Sequence, residues 1–505
     1  MRRSHARALR DLIARAEAKA VIALGPTPGF TVWETVATAL AGLQREPVLF
    51  SLHDPFQPAH PHDLLTEAAG AGADRLAFDR ADAAAGTVAL YVHSGGTTGD
   101  PKIVRITHGG LVYRQWVSNF GLGFTTDDVT LSDTPLFHIA GLSVRGLVPT
   151  ANGMTSIIPS MLGARDKIYL ANYWRFVERF GITQISGVPT TLSVLAKSPP
   201  AGEDISSLRP YFMTGSTAIA PAVQERLGAT TGTQALMSYG LTENTSNASV
   251  DPRDGEAKRG CSGLRVPYTT IRIVRMGEGA VVERDCGHGE IGMVLVGGPG
   301  VAAGYLDPAQ DWGAFLPDRF FVTGDLGSLD EDGFLRISGR EKDVIIRGGH
   351  NIEPSMIEDA LLQSPWVAQA AAVGKPDAYA GELPVAYVEL HPSAEVSVEE
   401  LLRYAAERTP ERAAAPKDIT IVDKLPLTAV GKPLKHLLRA DTAKRVFTTA
   451  LQPVPGAWAL EVSSTGGSGL SLTVILSGAA PGARERAADI LSAFSTPFRI
   501  VQEPA

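Results

Sequence analysis

The chain has 505 residues, enough for two or three domains, and its composition (44% hydrophobic, 20% charged, 7% aromatic) argues against a disordered polypeptide. A net charge of −8 with no long basic run argues against nucleic acid as a partner, and no apolar run reaches the length of a membrane span. Cys261 and Cys286 have neither disulfide-framework nor zinc spacing, and the start, Met1-Arg-Arg-Ser-His, lacks the apolar segment of a secretory signal, so a reducing cytoplasm is the expected location.

In chain order, Val21-Ile-Ala-Leu24 and Pro47-Val-Leu-Phe-Ser-Leu52 read as buried strands around a helix near 33–43. Ala/Gly-rich patches at 67–73 and 82–86 read as surface turns. An apolar run, Thr87-Val-Ala-Leu-Tyr-Val92, then feeds His93-Ser-Gly-Gly-Thr-Thr-Gly-Asp-Pro-Lys102. Gly95, Gly96 and Gly99 let the backbone approach an anion closely; Ser94, Thr97 and Thr98 offer hydroxyls, and Lys102 adds a fixed positive charge. Pro101 stands where the common phosphate loop needs its second glycine, so this is a different cradle, suited to the phosphates of a nucleotide.

Strand patterns continue at 182–186 and 211–214 among helical stretches, which indicates α/β layers. From 261 to 337 the chain changes to short strands rich in Gly and Asp, the pattern of a small barrel or distorted sheet. Gly339-Arg-Glu-Lys-Asp343 interrupts it as a charged joint. A compact α/β segment follows, with strands near 344–346, 370–373 and 385–390 and helices near 354–363 and 398–408. After Asp441, hairpin strands around 463–469, a helix near 483–494 and a last strand at 498–501 make a ββαβ unit. The expected division is 1–339, 340–440 and 441–505.

Six segments stand in an order that resembles the core motifs of the adenylate-forming superfamily, which includes acyl- and aryl-CoA synthetases, peptide-synthetase adenylation domains and luciferases. They are the loop above, Pro135-Leu-Phe-His-Ile-Ala-Gly141, Ser238-Tyr-Gly-Leu-Thr-Glu243, Phe321-Val-Thr-Gly-Asp325, Gly339-Arg-Glu-Lys-Asp343 running into Ile346-Arg-Gly-Gly-His-Asn-Ile352, and Leu425-Pro-Leu-Thr-Ala-Val-Gly-Lys432. The resemblance covers about residues 20–440. Gly381-Glu-Leu-Pro-Val-Ala-Tyr387 and Pro410-Glu-Arg-Ala-Ala-Ala-Pro416 look most like bacterial acyl-CoA synthetases.

The resemblance implies a layered α/β adenylation domain with a small distorted β-barrel, and a small mobile C-terminal α/β domain. It implies ATP, Mg²⁺ and CoA acting on a carboxylic acid. A carboxylate attacking ATP must overcome anion repulsion, so placed cations are the remedy. The resemblance assigns that task to Lys432 and Arg340, with Glu243 and Thr98 as magnesium ligands and Asp325 on the ribose hydroxyls. Tyr239 would stack on adenine over a floor of Gly215 and Ser216, with Gly240 and Thr242 also at the ATP; a core tyrosine is the competing reading. His138 would gate the acyl pocket or serve as an ordinary core histidine. Pocket walls would be Phe137, His138, Ser186, Gly187, Val188, Thr214 and Leu241. The C-terminal domain would turn at Lys342 to bring Gly348 and Gly349 to a pantetheine tunnel, unless these two form a plain β-turn.

Relatives usually carry a longer region before the loop near residue 95, so an abbreviated N-terminal subdomain is expected. The tail reads equally as an oligomer contact, a lid or a docking module; a homodimer is the one assembly considered. The leading function is acid–thiol ligation. The alternatives are an amine or carrier-protein acceptor and a nitrite-using diazotase.

Overall fold

The computed structural model describes residues 2–52, 62–71, 84–94, 102–215, 221–392, 394–428, 431–465, 469–477 and 480–503. Two compact units emerge, Met1–Thr87 and Val88–Ala505. In the first, the helix Arg2–Arg15 precedes the parallel strands Ala20–Leu24 and Val48–Leu52, paired from Ala20↔Val48 to Leu24↔Leu52. The helix Val32–Leu40 makes the crossover that parallel pairing requires, and Ile13, Ala23, Val36 and Leu40 close the core.

The second unit opens with the antiparallel strands Val88–His93 and Ile103–Thr107. The helix His108–Leu122 follows at once, because the Thr107 side chain accepts from Gly110 N as its N-cap. A first sheet holds three parallel strands, Ile185–Gly187, Tyr211–Gly215 and Gln234–Leu241, extended antiparallel by Ser246–Val250 and Leu264–Arg265. One face buries Ile185 and Phe212 with Tyr173, Trp174, Leu192 and Leu227 of the covering helices. Ahead of this sheet, between the parallel strands Val129–Leu131 and Thr155–Ile157, lies a wide helical stretch, Ala140–Leu147, after which Val148 N–H donates to Ser143 O five residues back.

The second sheet is antiparallel and five-stranded, in the spatial order Val282–Asp285, Thr270–Met276, Gly292–Gly297, Phe321–Leu329, Leu335–Arg340. Register shifts between Arg275 and Met276, Met293 and Leu295, and Leu326 and Gly327 distort it; among the described residues its ladder stays open. A third sheet joins His350–Ile352, Ile345–Arg347, Gly381–Leu390 and Val367–Asp377, with Asp418–Val422 parallel to Gly381–Leu390. The helices Pro354–Leu362 and Val398–Arg408 cover it, the latter opened by the Ser397–Glu400 capping box.

The tail is a ββαβ unit: the hairpin Ala457–Thr465 and Gly469–Ser477, the helix Ala483–Ser492, and Phe498–Glu503 returning parallel to the second strand. The helix Lys435–Ala450 runs through residue 441 and serves both neighbours. Its Leu438 packs with Val373 and Val385 of the third sheet, while Ala443 and Phe447 pack with Leu472, Val474 and Leu491 of the tail.

Candidate active site

The parallel strands of the first sheet end side by side, with Gly187 opposite Thr214 and Gly215 opposite Ser238. The carboxyl edge of such a sheet is where open α/β folds bind ligands. A Cβ on Gly215 would lie 2.6 Å from Ser238 Oγ, and one on Gly240 would lie 2.1 Å from Ser246 O, so strand approach itself excludes side chains there. Thr214, Gly187, Val188 and Leu241 thus converge on one edge. Thr214 is buried and its hydroxyl has no partner among the described residues. Phe137, from the loop ahead of the wide helix, is 48% exposed and stacks on His93 at 5.9 Å between ring centroids. The loop residues Gly95, Gly96, Thr97, Thr98 and Gly99, together with Ser216 and the side chain of Ser186, lie outside the described residues. The two ends of that loop are joined, since Ser94 N donates to Lys102 O at 2.8 Å.

Beyond Leu241 the chain turns through Thr242–Asn244, which presents Glu243. Tyr305 donates its hydroxyl to Glu243 Oε1 at 3.0 Å, and Lys102 Nζ sits over the Tyr305 ring, 4.5 Å from its centroid. Burial raises the Glu243 pKa; the Tyr305 hydrogen bond and the charges of Arg340 and Lys102 oppose that rise.

Asp325 and Arg340 face each other on adjacent antiparallel strands, and Arg340 Nε meets Asp325 Oδ1 at 2.9 Å. Asp325 is 6% exposed; its N–H donates to Thr323 Oγ1 at 3.0 Å. Tyr239, from the first sheet, donates its hydroxyl to Asp325 Oδ2 at 2.6 Å, while its ring borders the core formed by Ile271, Val294 and Leu335. Tyr239 thus meets a core as its competing reading had it, while both its hydroxyl and the Arg340 guanidinium end on the Asp325 carboxylate. The Asp325 charge is the first cause of the raised Arg340 pKa.

Lys432 arrives from far along the chain on a tight hairpin. Thr428 N donates to Lys432 O at 2.8 Å, Lys432 N donates to Thr428 Oγ1 at 3.0 Å, and Leu434 N donates to Pro426 O at 2.8 Å. Burial and then the charge of Arg340 lower the Lys432 pKa, with Asp325 opposing. His138 lies within reach of the same charge: burial first, then Lys432 and His93, lower its pKa to about 4. Its Nδ1 accepts from Ala140 N at 3.2 Å, which leaves the ring proton on Nε2.

The structure brings Lys102, Glu243, Tyr239, Asp325, Arg340, His138 and Lys432 into one connected group. Gly348 and Gly349 stand on the third sheet. They form the two-residue turn between Ile345–Arg347 and His350–Ile352, at φ 57° and 81°, where glycine is the residue both positions favour. Their neighbours bond to the C-terminal segment: Arg347 Nη1 to Ala413 O at 2.7 Å and His350 Nε2 to Glu411 at 2.7 Å. Lys342 stands in the turn Glu341–Asp343, its carbonyl accepting from Arg439 Nη2 at 2.7 Å, and burial lowers its pKa to about 8.

Tyr305 and His93 escaped the sequence reading. The signal available for Tyr305 was an aromatic residue closing a stretch of small residues, Gly297-Gly-Pro-Gly-Val-Ala-Ala-Gly304. His93 stood next to the glycine-rich loop but carried no pattern of its own.

The His138 imidazole should stay neutral down to about pH 4 in the folded chain, against an ordinary value of 6.5. Between those values the unfolded chain binds a proton that the folded one refuses. The contribution of His138 to stability is therefore complete above 6.5 and lost as pH falls toward 4. An NMR titration checks this. Lys432→Ala should raise the midpoint while leaving it below 6.5, because burial is the larger cause.

The sequence model of the AMP-binding enzyme family matches residues 2–306, and that of the AMP-binding enzyme C-terminal domain matches 356–432. Marinolic acid–CoA ligase of Pseudoalteromonas sp. (strain SANK 73390) is 39% identical over 72% of this chain, and the match spans only 56% of that ligase's own length. Among solved structures, ATP-bound MatB from Rhodopseudomonas palustris aligns with a TM-score of 0.75 and 28% identity, over 86% of this chain and 82% of its own. O-succinylbenzoate coenzyme A synthetase (MenE) from Bacillus subtilis, in complex with ATP and a magnesium ion, aligns with a TM-score of 0.69 and 26% identity, over 86% and 82%.

Proposed function

Because this chain belongs to the AMP-binding enzyme family, we propose that it joins a carboxylic acid to CoA through an acyl-adenylate. In the first step a carboxylate oxygen attacks the α-phosphorus of ATP, forming the acyl–AMP bond as pyrophosphate leaves. In the second the CoA thiol attacks the acyl carbon, releasing AMP and a proton. The observation that carries this reading is the placement of Lys432, which a hairpin remote in sequence delivers to the charges of Arg340 and Asp325.

In this reading Lys432 and Arg340 offset the repulsion between carboxylate and phosphate, and Asp325 takes the ribose hydroxyls. Tyr239, Gly215, Ser216, Gly240 and Thr242 frame the adenine, and the loop from Ser94 to Lys102 holds the phosphates. Glu243, with Thr98, would hold magnesium, which when bound neutralises phosphate charge. The Glu243 carboxylate fits that ion in chemistry: it is a hard oxygen donor, held at Oε1 by the Tyr305 hydroxyl. A lone carboxylate sharing magnesium with phosphates is how the ion is usually bound.

The pocket walls Phe137, His138, Gly187, Val188, Thr214 and Leu241 are mostly small or apolar, without a carboxylate to receive an ammonium. That favours medium-chain fatty or aromatic acids over amino acids. We place the adenylation domain at 1–339, the mobile domain at 340–440 and the extension at 441–505, in a cytoplasmic protein that either stands alone or pairs as a homodimer. No helix among the described residues is long and apolar enough to cross a membrane.

A pyrophosphate-release screen over fatty, aryl and amino acids, with and without CoA, tests the reading. Release with an aryl or fatty acid, and a thioester mass only when CoA is present, is the expected result. Product only with hydroxylamine, a carrier protein, or nitrite plus an arylamine would replace CoA as acceptor. No pyrophosphate with any acid would overturn the proposal. Lys342→Pro should stiffen the joint and slow thioester formation more than adenylation; equal losses in both steps would count against alternation of the C-terminal domain.

A further inference from the structure

The turn that carries Glu243 runs straight into strained backbone. Thr245 sits at φ 51° and ψ 36°, and Ser246 at φ 99°, left-handed values that a β-branched threonine rarely adopts. The helix His108–Leu122 supplies what holds them there. Its Arg114 is 1% exposed, and the guanidinium donates from Nε to Thr245 O at 3.0 Å and from Nη2 to Asn247 O. On the same residue, the Thr245 hydroxyl donates to Gly300 O at 2.7 Å.

Burial lowers the Arg114 pKa to about 10, with Tyr113 opposing. A cation in such a place is tolerable only when its hydrogen bonds are made, and here main-chain carbonyls make them. Arg114 therefore bears on the Glu243 turn through the two main-chain carbonyls it holds.

We propose that Arg114 is a positioning residue: its forked guanidinium clamps the carbonyls of Thr245 and Asn247 and fixes the left-handed turn that aims Glu243 at the magnesium-bearing phosphates of ATP. The inference rests on the role given to Glu243 above. The fork matters because two carbonyls must be held at once; a lysine ammonium is a single point of charge and cannot reproduce the planar pair of donors. A hydrophobic side chain of similar length would also leave the Thr245 carbonyl without its donor.

The test compares full-length wild-type protein with Arg114→Lys, Arg114→Met, and Arg114→Lys combined with Thr245→Gly. ATP binding is followed by calorimetry across a magnesium series, and KM values for ATP and for the acid are taken from pyrophosphate exchange. Both single variants should weaken magnesium-dependent ATP binding and raise the ATP KM by about 10–100-fold, the range seen when a supporting partner of a metal ligand is lost. The acid KM should not move. Glycine accepts positive φ without strain, so adding Thr245→Gly should shrink the Arg114→Lys effect.

Unchanged magnesium and ATP dependence in either folded single variant would overturn the proposal. So would equal rises in both KM values, or loss of folding in both single variants, since either would make Arg114 a general core residue. A wild-type protein that binds no ATP with magnesium would instead sink the function proposed above.

Discussion

Lys432→Ala is expected to slow acyl-adenylate formation by about 10²–10³-fold, roughly 2.7–4 kcal/mol of transition-state stabilisation, by analogy with loss of a placed oxyanion donor. The substitution is a clean one, because the hairpin that presents Lys432 is built from Thr428 N, Lys432 N, Lys432 O and the Leu434–Pro426 contact. None of those bonds uses the ammonium, so the loop should keep its shape. The lysine sits where burial and Arg340 disfavour its charge, and Asp325 alone opposes them. Two anions entering this region would restore the balance, and the same term then lowers the barrier between them. ATP–pyrophosphate exchange measures the loss. Thioester formation from added acyl-adenylate should be much less affected, and undiminished exchange would remove Lys432 from the chemistry.

Glu243→Gln should cost on the order of 10²-fold in kcat/KM for ATP while leaving the acid KM in place. The amide is nearly isosteric, and its carbonyl oxygen can still accept from Tyr305, so the contact of Lys102 with the Tyr305 ring should survive. What disappears is the negative charge that a hard cation needs. Raising magnesium should recover part of the activity. An unchanged magnesium requirement would show that the ion is held without this carboxylate.

Much of the architecture was legible because it follows from local patterning. The parallel strands ending at Gly187 and Gly215, the short antiparallel strands after Cys261 and the ββαβ tail all sit close to where apolar runs and turn residues put them, whereas the strand Gln234–Leu241 showed only as a motif at its end. The order of the motifs also announced which charges would meet. Less legible were features made by contact across the chain. Tyr305 touches Glu243 from 62 positions away, and Arg114 braces Thr245 from 131; neither spacing leaves a periodic trace. The wide helix Ala140–Leu147 escaped for a related reason, since a five-residue hydrogen bond has no propensity signal distinct from an α-helix. Gly348 and Gly349 teach the opposite lesson: a tight hairpin accounts for both, whatever later passes beside them.

The helix Lys435–Ala450 begins three residues after Lys432 and is about 24 Å long at ~1.5 Å per residue. Its near half is anchored to one sheet and its far half forms the spine of the terminal ββαβ unit. Any movement of this helix, as the proposed alternation requires, would carry the terminal unit with it. A dye on the outer strand Phe498–Glu503 would then report that movement from outside the site.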